Sequence, residues 1–288
     1  MIIDGKSIAE KTKNDLKDKV LELKSKGINP KLAVIAVGEN SASKIYVRNK
    51  KRACDEIGIY SEEFSLPENT SEEELIDLIE KLNSNAYING ILVQLPLPLH
   101  INETKIAEAI NPLKDVDVFN PLNTGKLLSG NADLIPCTPK GIIELLEHEK
   151  IPLKGKHCVV IGRSNIVGKP ISLLMLQKDA TVTICHSKTK NLDKICKTAD
   201  IIIAAIGKPK FITKNMITKG CVIIDVGINR NKDGTICGDV DFEEVKEIAS
   251  YITPVPGGVG PMTIAMLLKN TLITTKIQNN IDNKKGEI

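Results

Sequence analysis

Short, strongly apolar runs recur along the chain at intervals that leave room for a helix between them: residues 32–37 (LAVIAV), 88–95 (INGILVQL), 158–161, 181–185, 201–206 and 222–226. Runs that are apolar almost throughout, rather than at alternate positions, suit strands buried on both faces. Such strands belong to parallel sheets covered by helices. The intervening stretches supply the helices. Ile8, Thr12, Leu16, Val20 and Leu23 recur at helical spacing, with Gly27 placed to end the helix and Pro30 just beyond it. A second helix is expected over about 43–57 before Gly58, and Ser71 with Glu74 forms a capping box that opens a third. The expected class is α/β.

A chain of 288 residues exceeds the usual size of one domain. Residues 111–136 show no periodicity and are rich in Asn, Pro, Gly and Asp, so the crossing between domains is placed there. Thr138 and Pro139 read as the cap and first position of a helix ending near Lys150. The later strands, with a short one near Tyr251, follow a doubly wound pattern. An apolar helix after Pro261 is expected to return to the first domain, followed by a polar tail from Asn279. The organisation expected is thus two α/β domains with a cleft between them: residues 1–137 plus 261–288, and a Rossmann-like domain over 138–260.

Composition narrows the partners. Thirty-nine basic residues against thirty-six acidic ones leave a net charge of +3, too balanced for a nucleic-acid or anionic-membrane surface. The seven cysteines form no CxxC pair and lie mostly in apolar segments, as expected of reduced core residues in a cytosolic protein. Residues 1–5 lead straight into a polar helix with no signal-like apolar core, and no segment approaches the roughly 20 apolar residues of a membrane span. A cytoplasmic protein acting on small molecules is expected.

One strand-to-helix turn suggests what one of those molecules is. In VVIGRSNIVGKP a buried strand delivers Gly162 at its carboxyl end, and a helix is expected from Ile166 onward, its amides and dipole turned toward an anion. The GxGxxG pattern is imperfect, because Ser164 replaces the second glycine and Gly168 falls one residue late. A protein that binds NAD normally carries a carboxylate at the end of the next strand. Here that strand ends Cys185, His186, Ser187, Lys188, and Arg163 with Ser187 is placed to hold a ribose phosphate instead. NADP is therefore favoured over NAD. Taken alone, Lys188 reads as a solvated charge and His186 as an ordinary surface or core histidine.

A second group of residues lies in the first half. Tyr46 and Lys50 are four apart on an expected helix and share a face, where they can address one ligand. Periodicity alone would allow a solvated basic helix with a half-buried tyrosine. Gln94 shifts that weighting, because it closes an apolar strand at the edge where open α/β sheets place ligands, with Pro96 and Pro98 stiffening the next few residues.

Together these segments resemble the bifunctional NADP-dependent methylenetetrahydrofolate dehydrogenase/methenyltetrahydrofolate cyclohydrolase family. YVRNKKRACDEIGI is similar to its Tyr-xxx-Lys helix, GILVQLPLP to its glutamine segment, KDVD to its acidic segment, GRSNIVGKP to its nucleotide turn and TPVPGGVGPMT to its C-terminal signature, from Gly5 to about Thr271. The resemblance implies hydride transfer from methylenetetrahydrofolate to NADP, then hydrolysis of methenyltetrahydrofolate to formyltetrahydrofolate, with one folate site serving both steps. It implies that Lys50 is the main residue of the hydrolytic step, that Tyr46 stacks on the folate, that Gln94 tunes Lys50 and that Asp117 binds the pterin ring. Leu95, Pro96, Gly257, Gly258 and Val259 join them as substrate contacts. Gly162, Arg163, Ser164, Ile166, Val167, His186, Ser187, Gly207 and Ile228 are the implied NADP contacts. No metal is implied, and a homodimer working in one-carbon metabolism and purine biosynthesis is.

One departure bears on the site. Where the family usually has glycine after DVD, this chain has Val118, and a β-branched residue tolerates positive φ poorly. The backbone beside Asp117 is expected to run differently, with Asp115 as the alternative carboxylate. Two rival readings stand beside the resemblance: an NADP-dependent dehydrogenase of a small hydroxy or keto acid, and an NADP-binding sensor or scaffold without catalysis. The first does not need Tyr46 and Lys50 on one helical face, and the second leaves the first half unexplained.

Overall fold

The computed structural model describes residues 1–39, 41–231 and 233–281. They fall into two compact units: Lys11–Cys137 with Ile264–Ile288, called the first unit, and Thr138–Thr263 with Met1–Glu10, called the second.

The first unit contains most of α1 (Gly5–Ser25), then β1 (Lys31–Val37), α2 (Ser41–Ile57), β2 (Tyr60–Leu66), α3 (Glu72–Ser84), β3 (Gly90–Val93), α4 (Glu103–Ala109) and α5 (Pro121–Leu128), up to the first residue of α6 (Cys137–His148). Its parallel sheet runs β2-β1-β3, with Ile35 opposite both Phe64 and Val93. Ala33, Ile35 and Val37 of β1 bury against Leu75, Ile79 and Leu82 of α3, whose helical spacing gives it one apolar face. The expected capping box is present: the Ser71 hydroxyl accepts from Glu74 N–H, and Glu74 accepts from Ser71 N–H.

β2 is a strand that the apolar runs do not reveal. YSEEFSL is polar at most positions, yet Phe64 and Leu66 pack on the core at the period of two that a sheet edge needs, while Glu62 and Glu63 pair with Lys31 and Lys51. β3 is shorter than the run that predicts it. Asn89 Oδ1 accepts Lys31 N–H at 2.9 Å before it, and the strand pairing stops at Val93.

Residues 111–136 contain α5 and a segment laid beside β3, where Ile91 bridges Asp115 and its N–H donates to Lys114 O at 2.7 Å. The amine of Lys114 donates to the carbonyls of Leu82, Asn83 and Asn85, satisfying groups that the end of α3 leaves open. Side-chain bonds of this kind have no period, so the order they impose is invisible to pattern reading.

The second unit continues α6 and adds β4 (His157–Ile161), α7 (Gly168–Gln177), β5 (Thr181–Cys185), α8 (Leu192–Cys196), β6 (Ile201–Ala204), β7 (Val222–Asp225), β8 (Asn229–Arg230), β9 (Ile236–Cys237), α9 (Phe242–Val245), β10 (Tyr251–Ile252) and the start of α10 (Val259–Gln278). Its parallel sheet has the order β10-β7-β6-β4-β5, over a core that includes Val159, Ile161, Ile202 and Ile223. β5 lies on one side of β4 and β6 on the other, so the winding reverses at the carboxyl end of β4, the place where open α/β sheets receive ligands. Residues 1–10 belong with this unit and not with the first half of the chain. Ile3 N–H donates to Ile252 O at 2.9 Å and Ile252 N–H to Met1 O at 3.0 Å, extending the sheet beyond β10.

Two helices begin earlier than their sequence signals suggest. α6 opens at Cys137, with Thr138 already inside it, and α10 opens at Val259, two residues before Pro261. Among the described residues no helix is long and apolar enough to cross a membrane, and all seven cysteines are free thiols.

Candidate active site

α2 carries Tyr46 and Lys50 one turn apart, as the spacing predicts. The basic residues around them separate by partner. Lys51 pairs with Glu63 and Arg52 with Glu56, whereas Lys50 is buried and its Nζ donates to Gln94 Oε1 at 3.0 Å. Tyr46 is half-buried. Gln94 is the first residue past β3 and stays in register, because its N–H still donates to Ile35 O at 2.8 Å. Its Nε2 donates to Leu95 O at 2.7 Å, which fixes the amide with its oxygen toward Lys50. Lys50 is thus positioned by a neutral acceptor, so the bond holds the amine without adding a formal charge. Leu95 is half-buried and Pro96 exposed on the same turn.

Asp117 joins this neighbourhood through Cys137. The Cys137 thiol donates to Val116 O at 3.2 Å. Burial pushes that thiol well above its usual range, the charge of Asp117 adds to the effect and the charge of Lys50 opposes it. Both charges therefore act on one buried sulfur. Asp115 is engaged differently: its carboxylate accepts from Val118 N–H at 2.9 Å, Asn120 N–H at 2.9 Å and Asn123 Nδ2 at 3.1 Å. Burial pushes its carboxyl up to about 6. The expectation that Val118 would divert the backbone is not met, because Val118 takes φ 65°, a glycine-like conformation, with its side chain buried. The Asp115 bond to its N–H and the packing of its side chain hold it there.

In the second unit Gly162 follows β4 with φ 135°, and its N–H donates to Cys185 O at 2.9 Å. A Cβ on Gly168 would collide with the Gly162 carbonyl, so the turn needs glycine at that position despite its irregular spacing. α7 starts at Gly168, not at Ile166. Ile166 and Val167 complete the turn, and the Ser164 hydroxyl accepts from the N–H groups of Val167 and Gly168 at 3.2 and 3.3 Å. No protein acceptor meets the N–H of Arg163, Asn165 or Ile166 among the described residues. The turn is a cradle with free donors, which fits a dinucleotide phosphate.

β4 pairs with β5 so that Ile161 faces Cys185. Arg163 and Ser187 consequently emerge at the same edge, both exposed, with no carboxylate in the segment from His186 to Lys188. His186 N–H donates to Thr189 Oγ1 and its Nδ1 accepts Lys188 N–H, so the imidazole shapes this loop. Gly207 and Ile228 follow β6 and β7 at the same edge and are exposed. Gly257 and Gly258 belong to a loop clasped by the chain's start, where Lys6 N–H donates to Gly257 O at 3.0 Å, and Val259 is buried as the first residue of α10.

Residues 3–117 match the model of the tetrahydrofolate dehydrogenase/cyclohydrolase catalytic domain, and residues 136–279 that of the family's NAD(P)-binding domain. The chain belongs to the tetrahydrofolate dehydrogenase/cyclohydrolase family. It is 58% identical over 280 residues to the bifunctional protein FolD of Ruminiclostridium cellulolyticum, covering 97% of this chain and 99% of that protein. Among solved structures, the bifunctional FolD methylenetetrahydrofolate dehydrogenase/cyclohydrolase of Campylobacter jejuni superposes with a TM-score of 0.95 at 51% identity, over 96% of this chain and 99% of that one. The Trypanosoma brucei methylenetetrahydrofolate dehydrogenase-cyclohydrolase, solved with NADP cofactor and inhibitor, gives 0.92 at 38% identity, over 96% and 97%.

Two residues packed beside the Asp117 segment are not revealed by the sequence pattern. Cys137 is a core cysteine, but its thiol donates to Val116 O at 3.2 Å beside Asp117, and the charges of Asp117 and Lys50 act on it in opposite directions. Asn270 is a polar residue inside an apolar helix, which by itself signals a required partner. Its Nδ2 donates to Val116 O at 2.8 Å and Ile135 O at 2.9 Å, tying the Asp117 segment to α10.

Proposed function

We propose that this chain oxidises 5,10-methylenetetrahydrofolate to 5,10-methenyltetrahydrofolate with NADP and then hydrolyses that product to 10-formyltetrahydrofolate. The observation that carries the reading is the buried Lys50 amine oriented on Gln94, in a chain of this family. NADP, when bound, supplies the acceptor for the hydride leaving the methylene carbon.

Gly162, Arg163, Ser164, Ile166 and Val167 hold its phosphates. Arg163 and Ser187, with the loop shaped by His186, take the ribose phosphate, while Gly207 and Ile228 border the same edge. In the first unit Tyr46 lies against the flat pterin and aminobenzoyl system, Asp117 accepts from the pterin ring, and Leu95 and Pro96 shape the turn beside it. Gly257, Gly258 and Val259 offer backbone that a flat ligand can approach closely.

Hydrolysis adds water to the cationic methenyl carbon, and the water oxygen gives up both its protons: one leaves to solvent, carrying off the positive charge, and one reaches the ring nitrogen whose bond to that carbon breaks. Lys50 carries that second proton from the oxygen to the nitrogen, and Gln94 keeps its Nζ in place. On this reading the first unit is the folate and catalytic domain, the second is the NADP domain, and the enzyme works as a cytoplasmic homodimer. Free thiols throughout support the reducing compartment, and family membership supports the dimer, which light scattering reads directly.

Purified protein mixed with NADP and methylenetetrahydrofolate should give NADPH absorbance and a transient methenyl band. No turnover would refute the dehydrogenase reading.

A further inference from the structure

Asp239, between β9 and α9, is fully buried and has every lone-pair direction of its carboxylate occupied. Oδ2 accepts from Ile206 N–H at 2.7 Å and Gly207 N–H at 3.0 Å, and Oδ1 accepts from Lys208 N–H at 2.8 Å and Asn229 Nδ2 at 2.9 Å. Three successive N–H groups converging on one anion form a nest, and Gly207 makes the concavity with φ 65°. A turn of this shape at a nucleotide edge would itself attract phosphate. Here the protein fills it from within.

The location gives that filling a consequence. Ala205 N–H donates to Ile161 O at 2.8 Å, and a Cβ on Gly162 would collide with the Ala205 carbonyl, so residues 206–208 begin directly beside the turn after β4. Asn229, the first residue of β8, follows Ile228 in the segment after β7. One carboxylate therefore sets two of the backbone segments that border this edge. It is itself fixed: Asp239 N–H donates to Asp225 Oδ1 at 2.9 Å, Val240 N–H to Asp225 Oδ2 at 2.9 Å, and Asp225 N–H to Thr253 Oγ1 at 2.7 Å. A Cβ on Gly227 would strike the Asp239 carboxylate, so this contact allows no larger residue there.

We propose that Asp239 is a positioning residue for the dinucleotide, holding residues 206–208 and Asn229 in the geometry NADP meets while keeping the 206–208 amides from its phosphates. Gly207 then faces the dinucleotide with its Cα and carbonyl. The inference rests on the NADP reading of the second unit.

Asp239→Asn places an amide donor opposite two existing donors, and Asn229→Ala removes one bond only. With each lost bond to a charged group worth roughly ten- to a hundredfold in an equilibrium constant, and only part of that loss reaching the dinucleotide, Asp239→Asn should raise the Kd for NADP by about tenfold or more and Asn229→Ala by about threefold. KM for NADP should rise in parallel, with kcat at saturating NADP little changed. Methenyl hydrolysis assayed without NADP should stay near the parent rate, showing that the protein is folded. A purely architectural role would lower the melting temperature and leave NADP affinity alone. Unchanged NADP affinity in folded Asp239→Asn overturns the proposal. Should that variant fail to fold, unchanged affinity in Asn229→Ala overturns it. Absence of NADP binding by the parent enzyme would instead remove the NADP reading on which the proposal stands.

Discussion

Val118 occupies a conformation that suits glycine and a volume that suits valine, so two substitutions separate the terms. Its φ is 65° and its side chain is 1% exposed. Left-handed backbone costs an L-residue roughly 1–2 kcal/mol. Val118→Ala keeps the Cβ, hence most of that cost, and removes two buried methyls, a loss of about 2–3 kcal/mol once a residual cavity is included. Going on to Val118→Gly loses about 0.8 kcal/mol more burial and about 0.5–1 kcal/mol in chain entropy, against about 1–2 kcal/mol of backbone relief. The two variants should therefore be about equally stable, both below the parent. At a position with ordinary φ the glycine variant would be worse than the alanine variant by about 1.5 kcal/mol. The chain has no tryptophan, so urea unfolding is best followed by far-ultraviolet circular dichroism. A glycine variant less stable than the alanine variant by that full amount would refute the claim that Val118 is held left-handed. Dehydrogenase turnover should survive in both, because the Asp115 bond to the 118 N–H does not depend on the side chain.

Three further outcomes are expected. Lys50→Met should lower methenyl hydrolysis by roughly 10²–10⁴-fold, the usual worth of a positioned proton carrier, read as slowed decay of the methenyl band; near-normal decay would remove Lys50 from its role. Arg163→Ala should weaken NADP binding much more than NAD binding in titrations, and equal losses would reject the ribose-phosphate assignment. Burial holds the Asp225 carboxyl up at about 7, against the pull of three backbone N–H donors. A raised carboxyl makes its contribution to stability in full below the ordinary aspartate range and loses it as pH rises through about 7. The stability of the parent relative to Asp225→Asn should therefore fall between about pH 4 and 8, by on the order of a few kcal/mol, and a pH-independent difference would show that Asp225 does not take up a proton on folding.

What the sequence reveals and what it conceals divide along physical lines. Periodicity reveals β1, β3, β4, β6 and β7, because burial on both faces leaves no polar position to interrupt the run, and β5 by its β-branched residues although it is a half-exposed edge. It missed β2, whose polar residues belong to an edge where Glu62 and Glu63 meet Lys31 and Lys51. Tyr46 and Lys50 were legible from helical spacing, and Gln94 from the proline turn after it. Asp239 stands out only as a structural position by resemblance, and its partners at 206–208 are not legible, since they lie about thirty residues away and become neighbours only through the order of the sheet.

The chain uses one short pattern twice, and comparing the copies explains why the first aspartate of each is easily misread. In Asp115-Val116-Asp117 and in Asp239-Val240-Asp241 the first aspartate and the valine are buried, whereas the last aspartate is half-buried. Each first carboxylate accepts backbone N–H groups from a loop: 118 and 120 in one copy, 206 to 208 in the other. A carboxylate with its lone pairs bound to the backbone has little left to offer a substrate. The residue two positions later is half-buried and accepts none of these loop N–H groups. That difference in hydrogen bonding assigns Asp115 to architecture and, on the proposed reading, leaves Asp117 for the ligand, although the two residues are chemically identical.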